Sequence, residues 1–114
     1  MNQGISLIVY PVTDLSAAKA IYRTLLGVDP YVDGDYYVGF KAGDREVGLD
    51  PNAHRRGITT PIGYVDVPNI AKKLKELEDA GAQALQPVTD VGGGLRITTV
   101  KDPDGNILGL RQSA

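Results

Sequence analysis

The chain has 114 residues, 42 % of them hydrophobic and 23 % charged, the balance of an ordinary globular protein with a single hydrophobic core. Fourteen acidic residues against twelve basic give a net charge of −2, without the basic surplus of a nucleic-acid binder. The absence of cysteine excludes disulfides, iron–sulfur clusters, thiolate zinc sites and cysteine nucleophiles, and a lone histidine, His54, excludes any site needing several histidines from one chain. No run approaches the roughly 18 apolar residues of a membrane span. Met1-Asn2-Gln3-Gly4 shows neither the basic flank nor the apolar stretch of a signal peptide. The expectation is a cytoplasmic protein with no membrane or nucleic-acid partner.

In chain order, the apolar run Ile5 to Val12 predicts a strand. Asp14 then precedes Leu15, Ala18, Ile21, Tyr22 and Leu25, whose spacings of three and four predict one apolar helical face over Leu15–Leu26. Asp14 is placed to cap this helix and Gly27 to end it. Three short strands are predicted next, Pro30–Asp33, Tyr36–Lys41 and Arg45–Asp50, joined by turns at Asp33-Gly34-Asp35 and Ala42-Gly43-Asp44. The segment Asn52-Ala53-His54-Arg55-Arg56-Gly57 reads as a solvated linking loop.

The second half opens with a strand, Pro61 to Val67, and a helix, Ile70–Ala80, with Asn69 as cap, Gly81 as stop and Ile70, Leu74 and Leu77 as its apolar face. Strands are predicted at Gln83–Val88, Leu95–Lys101 and Asn106–Arg111, with turns at Gly92-Gly93-Gly94 and Asp102-Pro103-Asp104-Gly105. The glycine triplet lacks the following helix and the lysine–serine pair of a phosphate loop, so it reads as a hairpin turn.

The two halves repeat each other at an offset of about 55 residues: Val12 matches Val67, Asp14 matches Asn69 and Leu15 matches Ile70. Six basic and seven acidic residues fall in each half. Each half reads strand–helix–strand–strand–strand, giving one α+β domain of two modules, 1–57 and 58–114.

That order, with Val12-Thr13-Asp14-Leu15, Ala20-Ile21-Tyr22 and Leu25-Leu26-Gly27 near the start and Asp102-Pro103-Asp104-Gly105-Asn106 near the end, resembles the vicinal oxygen chelate superfamily. This superfamily includes glyoxalase I, the extradiol dioxygenases, and the fosfomycin and bleomycin resistance proteins. The resemblance implies paired βαβββ modules, each a mixed sheet curled into a half-barrel, with two covering helices. It also implies a metal held by His, Glu or Gln on the first and fourth strands of each module. The matching positions here are Leu7, Gly48, Ile62 and Gly109, none of which offers a donor side chain. The expectation is therefore a protein without metal or other cofactor, and with it goes the metal chemistry of the glyoxalases, dioxygenases and fosfomycin-modifying enzymes.

If those four positions mark the concave face, strand alternation places Val9, Glu46, Asp50, Tyr64, Asp66, Ile107 and Arg111 beside them. The third strand adds Tyr36, Val38 and Phe40 or, on the other parity, Tyr37 and Gly39. The two glycines leave room. A candidate ligand site is thus Tyr36, Phe40, Glu46, Asp50, Tyr64, Asp66 and Arg111, suited to a bulky, partly aromatic, cationic or polar molecule. His54 reads as a loop residue with no fixed partner. The resemblance implies a metal-independent binding protein like the bleomycin-type, antibiotic-sequestering members, working as a homodimer. The alternatives are an isomerase or lyase using Tyr, Glu or Asp as acid and base, and an interaction module.

Overall fold

The computed structural model describes residues 3–114. The fold is α+β, and the chain divides into two compact units, residues 6–62 and residues 63–114, the latter joined by the described residues ahead of Ser6.

In the first unit the elements are β1 (Ile5–Pro11, its first residue counted with the other unit), α1 (Leu15–Leu26), β2 (Val32–Asp33), β3 (Val38–Ala42) and β4 (Arg45–Asp50). The sheet order is β2-β3-β4-β1, antiparallel until β4 meets β1, which run parallel across the α1 crossover. Asp14 accepts a hydrogen bond from the Ala17 amide at 3.0 Å, and Gly27 closes the helix in the left-handed region at φ 70°.

The core is Val38, Phe40 and Leu49, covered by Tyr10, Val12, Leu15, Ala18, Tyr22 and Leu26. The rings of Tyr10 and Tyr22 lie 5.0 Å apart. Burial, followed by the neighbouring Tyr10, raises the pKa of the Tyr22 hydroxyl.

The inward stripe of α1 differs from the predicted one. Ile21 and Leu25 are 66 % and 73 % exposed, whereas Leu15, Ala18 and Tyr22 pack against the sheet as predicted and Leu26 completes the stripe. The helix is apolar over a wider arc than one sheet face can cover.

The expected loop after β4 contains a short 3-10 turn, Ala53–Arg56. Asp50 organises it, accepting from the Asn52 amide at 2.8 Å and pairing with the Arg56 guanidinium, while Ala53 is buried beneath.

The second unit carries β5 (Ile62–Asp66, entering from the first unit at Ile62), α2 (Ile70–Asp79), β6 (Gln83–Ala84), β7 (Thr89–Asp90), β8 (Arg96–Lys101) and β9 (Ile107–Gln112). The order is β5-β9-β8-β6, with β5 and β9 parallel and β7 also paired to β8. Its core is Val67, Ile70 and Leu110, packed by Val65, Leu74, Leu77 and Val88.

Asn69 caps α2 through the Lys72 amide at 3.1 Å, and Gln112 accepts from the Ile70 amide at 2.8 Å, satisfying a second free donor of the first turn. The predicted strand Gln83–Val88 is cut short after Ala84, and β7 was not expected. Pro87 has no amide to donate, so the ladder with β8 lapses there and resumes at Thr89.

Asp102 builds the last turn, accepting from the Asp104 and Asn106 amides at 3.0 and 2.8 Å and from the Asn106 side chain at 2.9 Å. These bonds, the Asn106 side chain foremost, hold its carboxyl below the usual aspartate range. Among the described residues no helix is long and apolar enough to cross a membrane.

Candidate functional site

Strand register decides which side chains share a face. In the first unit Leu7 lies opposite Glu46, Val9 opposite Gly48 and Pro11 opposite Asp50, while on the other side of β4 Gly39 lies opposite Gly48 and Lys41 opposite Glu46. Side chains alternate, so these residues form one face, and Phe40, Val47 and Leu49, at odds with them in parity, pack under α1.

Two tyrosines from the stretch leading into β3 cover this open face. A Cβ built on Gly48 would fall 2.6 Å from Tyr37 Cζ and clash with its hydroxyl, and one on Gly39 would fall 3.1 Å from both Tyr31 Cε1 and Tyr37 Cε2. Close approach of the Tyr37 ring favours glycine at position 48, since a strand glycine leaves space that another group fills. The stretch is pinned by backbone bonds from Tyr31 N to Gly39 O at 2.9 Å and from Gly34 N to Tyr37 O at 3.1 Å. The Tyr31 hydroxyl donates to Glu46 Oε1, and the Lys41 ammonium stands 4.5 Å from the Tyr31 ring centroid. A phenol, a carboxylate and an ammonium thus share one patch.

The second unit repeats the device with other residues. Tyr64 on β5 lies opposite Gly109 on β9, and Asp66 opposite Arg111. A Cβ on Gly109 would fall 2.5 Å from Tyr64 Cε1 and 2.7 Å from Tyr64 Cγ. Here the ring comes from the neighbouring strand itself and is buried. Arg111 grips Asp66 with two bonds, Nε to Oδ1 at 2.6 Å and Nη2 to Oδ2 at 3.2 Å, the arginine side chain 11 % exposed and the aspartate 49 %.

The structure therefore brings Tyr64, Asp66 and Arg111 together in one unit and places Glu46 against Tyr31 in the other. Tyr36 does not join either group: it lies in a bend ahead of β3 and is 77 % exposed. Phe40 is fully buried in the helix-side core, which corrects the expected parity of β3; Tyr37 and Gly39 occupy the open side instead. Asp50 is on the expected face, but its carboxylate is engaged by Asn52 and Arg56 and shapes the chain after β4. The expectation that Gly48 and Gly109 leave room is also corrected, because tyrosine rings fill both spaces. Tyr31 and Lys41 escaped the sequence reading. Their signal was Gly39, a mid-strand glycine with tyrosines ahead of it in sequence at 31 and 37.

The four positions where the resemblance implies metal ligands hold buried Leu7, buried Ile62 and the two covered glycines. Among the described residues no three His, Asp or Glu side chains gather where they could hold a metal ion. A divalent cation needs several oxygen or imidazole donors, and this donor set does not fit one.

Residues 4–110 match the family described as Glyoxalase/Bleomycin resistance protein/Dioxygenase superfamily. No curated protein matches the sequence. Among solved structures, the chain is similar to methylmalonyl-CoA epimerase from Streptomyces coelicolor, with a TM-score of 0.75 and 17 % identity over 100 % of this chain and 99 % of that one. It is similar to methylmalonyl-CoA epimerase from Mycobacterium tuberculosis at a TM-score of 0.72 and 16 % identity, over 99 % and 89 % of the two chains. It also resembles the Mn(II)-bound glyoxalase from Novosphingobium aromaticivorans at 0.69 and 18 %, covering 97 % of this chain and 39 % of that one. At such identities the likeness to these structures is one of fold. The family match runs from ahead of β1 into β9, and the chain belongs to the glyoxalase, bleomycin resistance and dioxygenase superfamily.

Proposed function

We propose that this protein binds a small organic molecule without a metal, in the manner of the sequestering members of its superfamily. The observation that supports this most is the tyrosine ring laid over glycine at both Gly48 and Gly109, where the resemblance implies metal ligands. The faces then offer aromatic surface and hydrogen-bonding groups in place of a cation. The best ligand class is a planar or aromatic molecule carrying a basic group, met by Tyr31 and Glu46 on the open face of the first unit; Tyr64, Asp66 and Arg111 make a separate candidate face within the second unit. Stacking on a ring contributes about 0.5–1.5 kcal/mol beyond area burial, and a charge-assisted bond to Glu46 roughly 1.5–3 kcal/mol.

A second reading has one specific observation in its favour. The Tyr31 hydroxyl donates to the Glu46 carboxylate, and a phenol–carboxylate pair on an open face can move a proton to or from a bound substrate. This reading makes the protein a metal-independent isomerase or lyase.

A thermal-shift screen of cationic aromatic antibiotics and of acyl thioesters, run with and without EDTA, tests the proposal. The expected result is a ligand whose shift is unchanged by EDTA and which is recovered chemically intact. Tyr31→Ala should weaken it about ten-fold or more with little loss of stability, because Tyr31 is 48 % exposed. Turnover of an acyl thioester that Glu46→Gln abolishes would establish the second reading instead. A shift that EDTA removes would overturn both.

A further inference from the structure

We propose that Tyr37 is a displaceable occupant of the ligand's own ring site, and that the ligand enters by seating a phenol-like ring where the Tyr37 ring now lies. The inference rests on the metal-free binding reading above and names the ligand's anchoring group. It starts from the open face of the first unit. Gly39 on β3 and Gly48 on β4 are cross-strand partners, and both are buried. Adjacent strands lie about 5 Å apart, so the pair leaves bare backbone about as wide as one aromatic ring. Val9, the partner of Gly48, and Val32, the partner of Gly39, share this face on either side. Tyr37 fills the space between them. A Cβ at Gly39 would lie 3.1 Å from its Cε2, and one at Gly48 would lie 2.8 Å from its Cε1. The ring therefore crosses both strands, with its hydroxyl end at Gly48.

The repeated modules differ in where this ring comes from. In the second unit the residue opposite the equivalent glycine is Tyr64, buried and held in the β5–β9 ladder. In the first unit the residue opposite Gly48 is Val9, too short to cover it. The cover is Tyr37 instead, a half-buried residue just ahead of the β2–β3 pairing, which starts at Asp33 and Val38. A turn about its Cα–Cβ bond takes the ring off the glycines without breaking a bond of the β3–β4 ladder. The slot it leaves is flat and floored by backbone, with the Tyr31 hydroxyl, Glu46 and Lys41 at one end. A monocyclic phenol or aniline ring fits there as Tyr37 does, and a basic substituent on it answers Glu46. Ring and ligand compete, so the apparent affinity falls by the fraction of time the slot is open. Tyr37 is thus a specificity-determining residue: it turns away molecules that lack a planar ring able to replace its own.

The probe is p-cresol, the tyrosine side chain as a free molecule. Tyr37→Ala should bind it with roughly millimolar affinity, as suits a fragment of this size, and its melting temperature should rise as p-cresol is added. The unmodified protein and Tyr37→Phe, which both keep the ring in place, should bind it about ten-fold more weakly or less. Methylcyclohexanol, the saturated analogue, should stabilise none of them. In amide NMR spectra the resonances that p-cresol shifts should be those of Val9, Gly39 and Gly48. That measurement on the unmodified protein, at correspondingly higher p-cresol, carries the test if Tyr37→Ala does not fold. Equal responses of Tyr37→Ala and Tyr37→Phe, or shifts that leave both glycines unmoved, would overturn the proposal. The ligand reading is tested separately. Binding of p-cresol to Tyr37→Ala, with no ligand found in the screen, would support the slot and remove that reading. A metal-independent ligand that binds Tyr37→Ala no more tightly than the unmodified protein would keep that reading and overturn this inference.

Discussion

Gly109→Ala is expected to destabilise the protein by about 1–3 kcal/mol, the usual cost of overpacking, and by clearly more than Gly48→Ala. The two glycines look alike in sequence but face different parts of their tyrosines. At position 109 the new methyl group meets Tyr64 at Cγ, close to the root of a buried side chain whose own backbone is fixed in the β5–β9 ladder. That ring can move only if the ladder moves. At position 48 the methyl group meets the hydroxyl end of Tyr37, a half-buried side chain from an irregular stretch, which can swing aside. Urea unfolding of both variants measures the difference. Pairing Gly109→Ala with Tyr64→Val, the residue type found at Val9 beside Gly48, should cost less than the sum of the single changes. Equal losses at the two glycines, or strict additivity in the pair, would show that the rings do not hold these positions to glycine.

Asp66→Ala is expected to lower stability by about 1–3 kcal/mol. Removing one partner of a fully buried ion pair costs roughly 3–5 kcal/mol, and the half-exposure of Asp66 brings that figure down. The loss arises because the Arg111 guanidinium, almost wholly shielded from water, gives up both bonds to the carboxylate. Asp33→Ala breaks a pair of similar length with Lys19 at the surface and should change stability by no more than about 0.5–1 kcal/mol. Urea unfolding compares them directly. Similar losses for the two variants would mean that Arg111 does not depend on Asp66.

Much of this was legible in the residues. Asp14 and Asn69 marked their helix starts because a short polar side chain there has amide donors to satisfy, and both do so. The chain order of strands and helix in each half was legible from the repeat, apart from the division of the strand after α2 into β6 and β7. The positions without metal donors were legible for the same reason: a leucine or glycine has no donor whatever the fold does with it. What the residues hid depended on register. The stretch into β3 carries aromatic residues on both parities, so the residues left open whether Phe40 or Tyr37 faces the open side, and the register of β3 on β4 decides it. The rings over Gly48 and Gly109 were hidden because a mid-strand glycine signals space without saying what fills it. The outer stripe of α1 was hidden because Ile21 and Leu25 are periodic with the buried residues, and periodicity alone does not show how wide an arc the sheet covers.

Tyrosine rings lie over Gly48 and Gly109, two of the positions where the resemblance implies metal ligands, and the proposed function rests on metal-free binding there. Isothermal titration of the untagged protein with Mn(II), Ni(II) and Zn(II), alongside elemental analysis of the protein as purified, tests it most directly. The expected result is no saturable binding at micromolar metal and no stoichiometric metal in the purified protein. One equivalent of any of these ions bound per chain would contradict it.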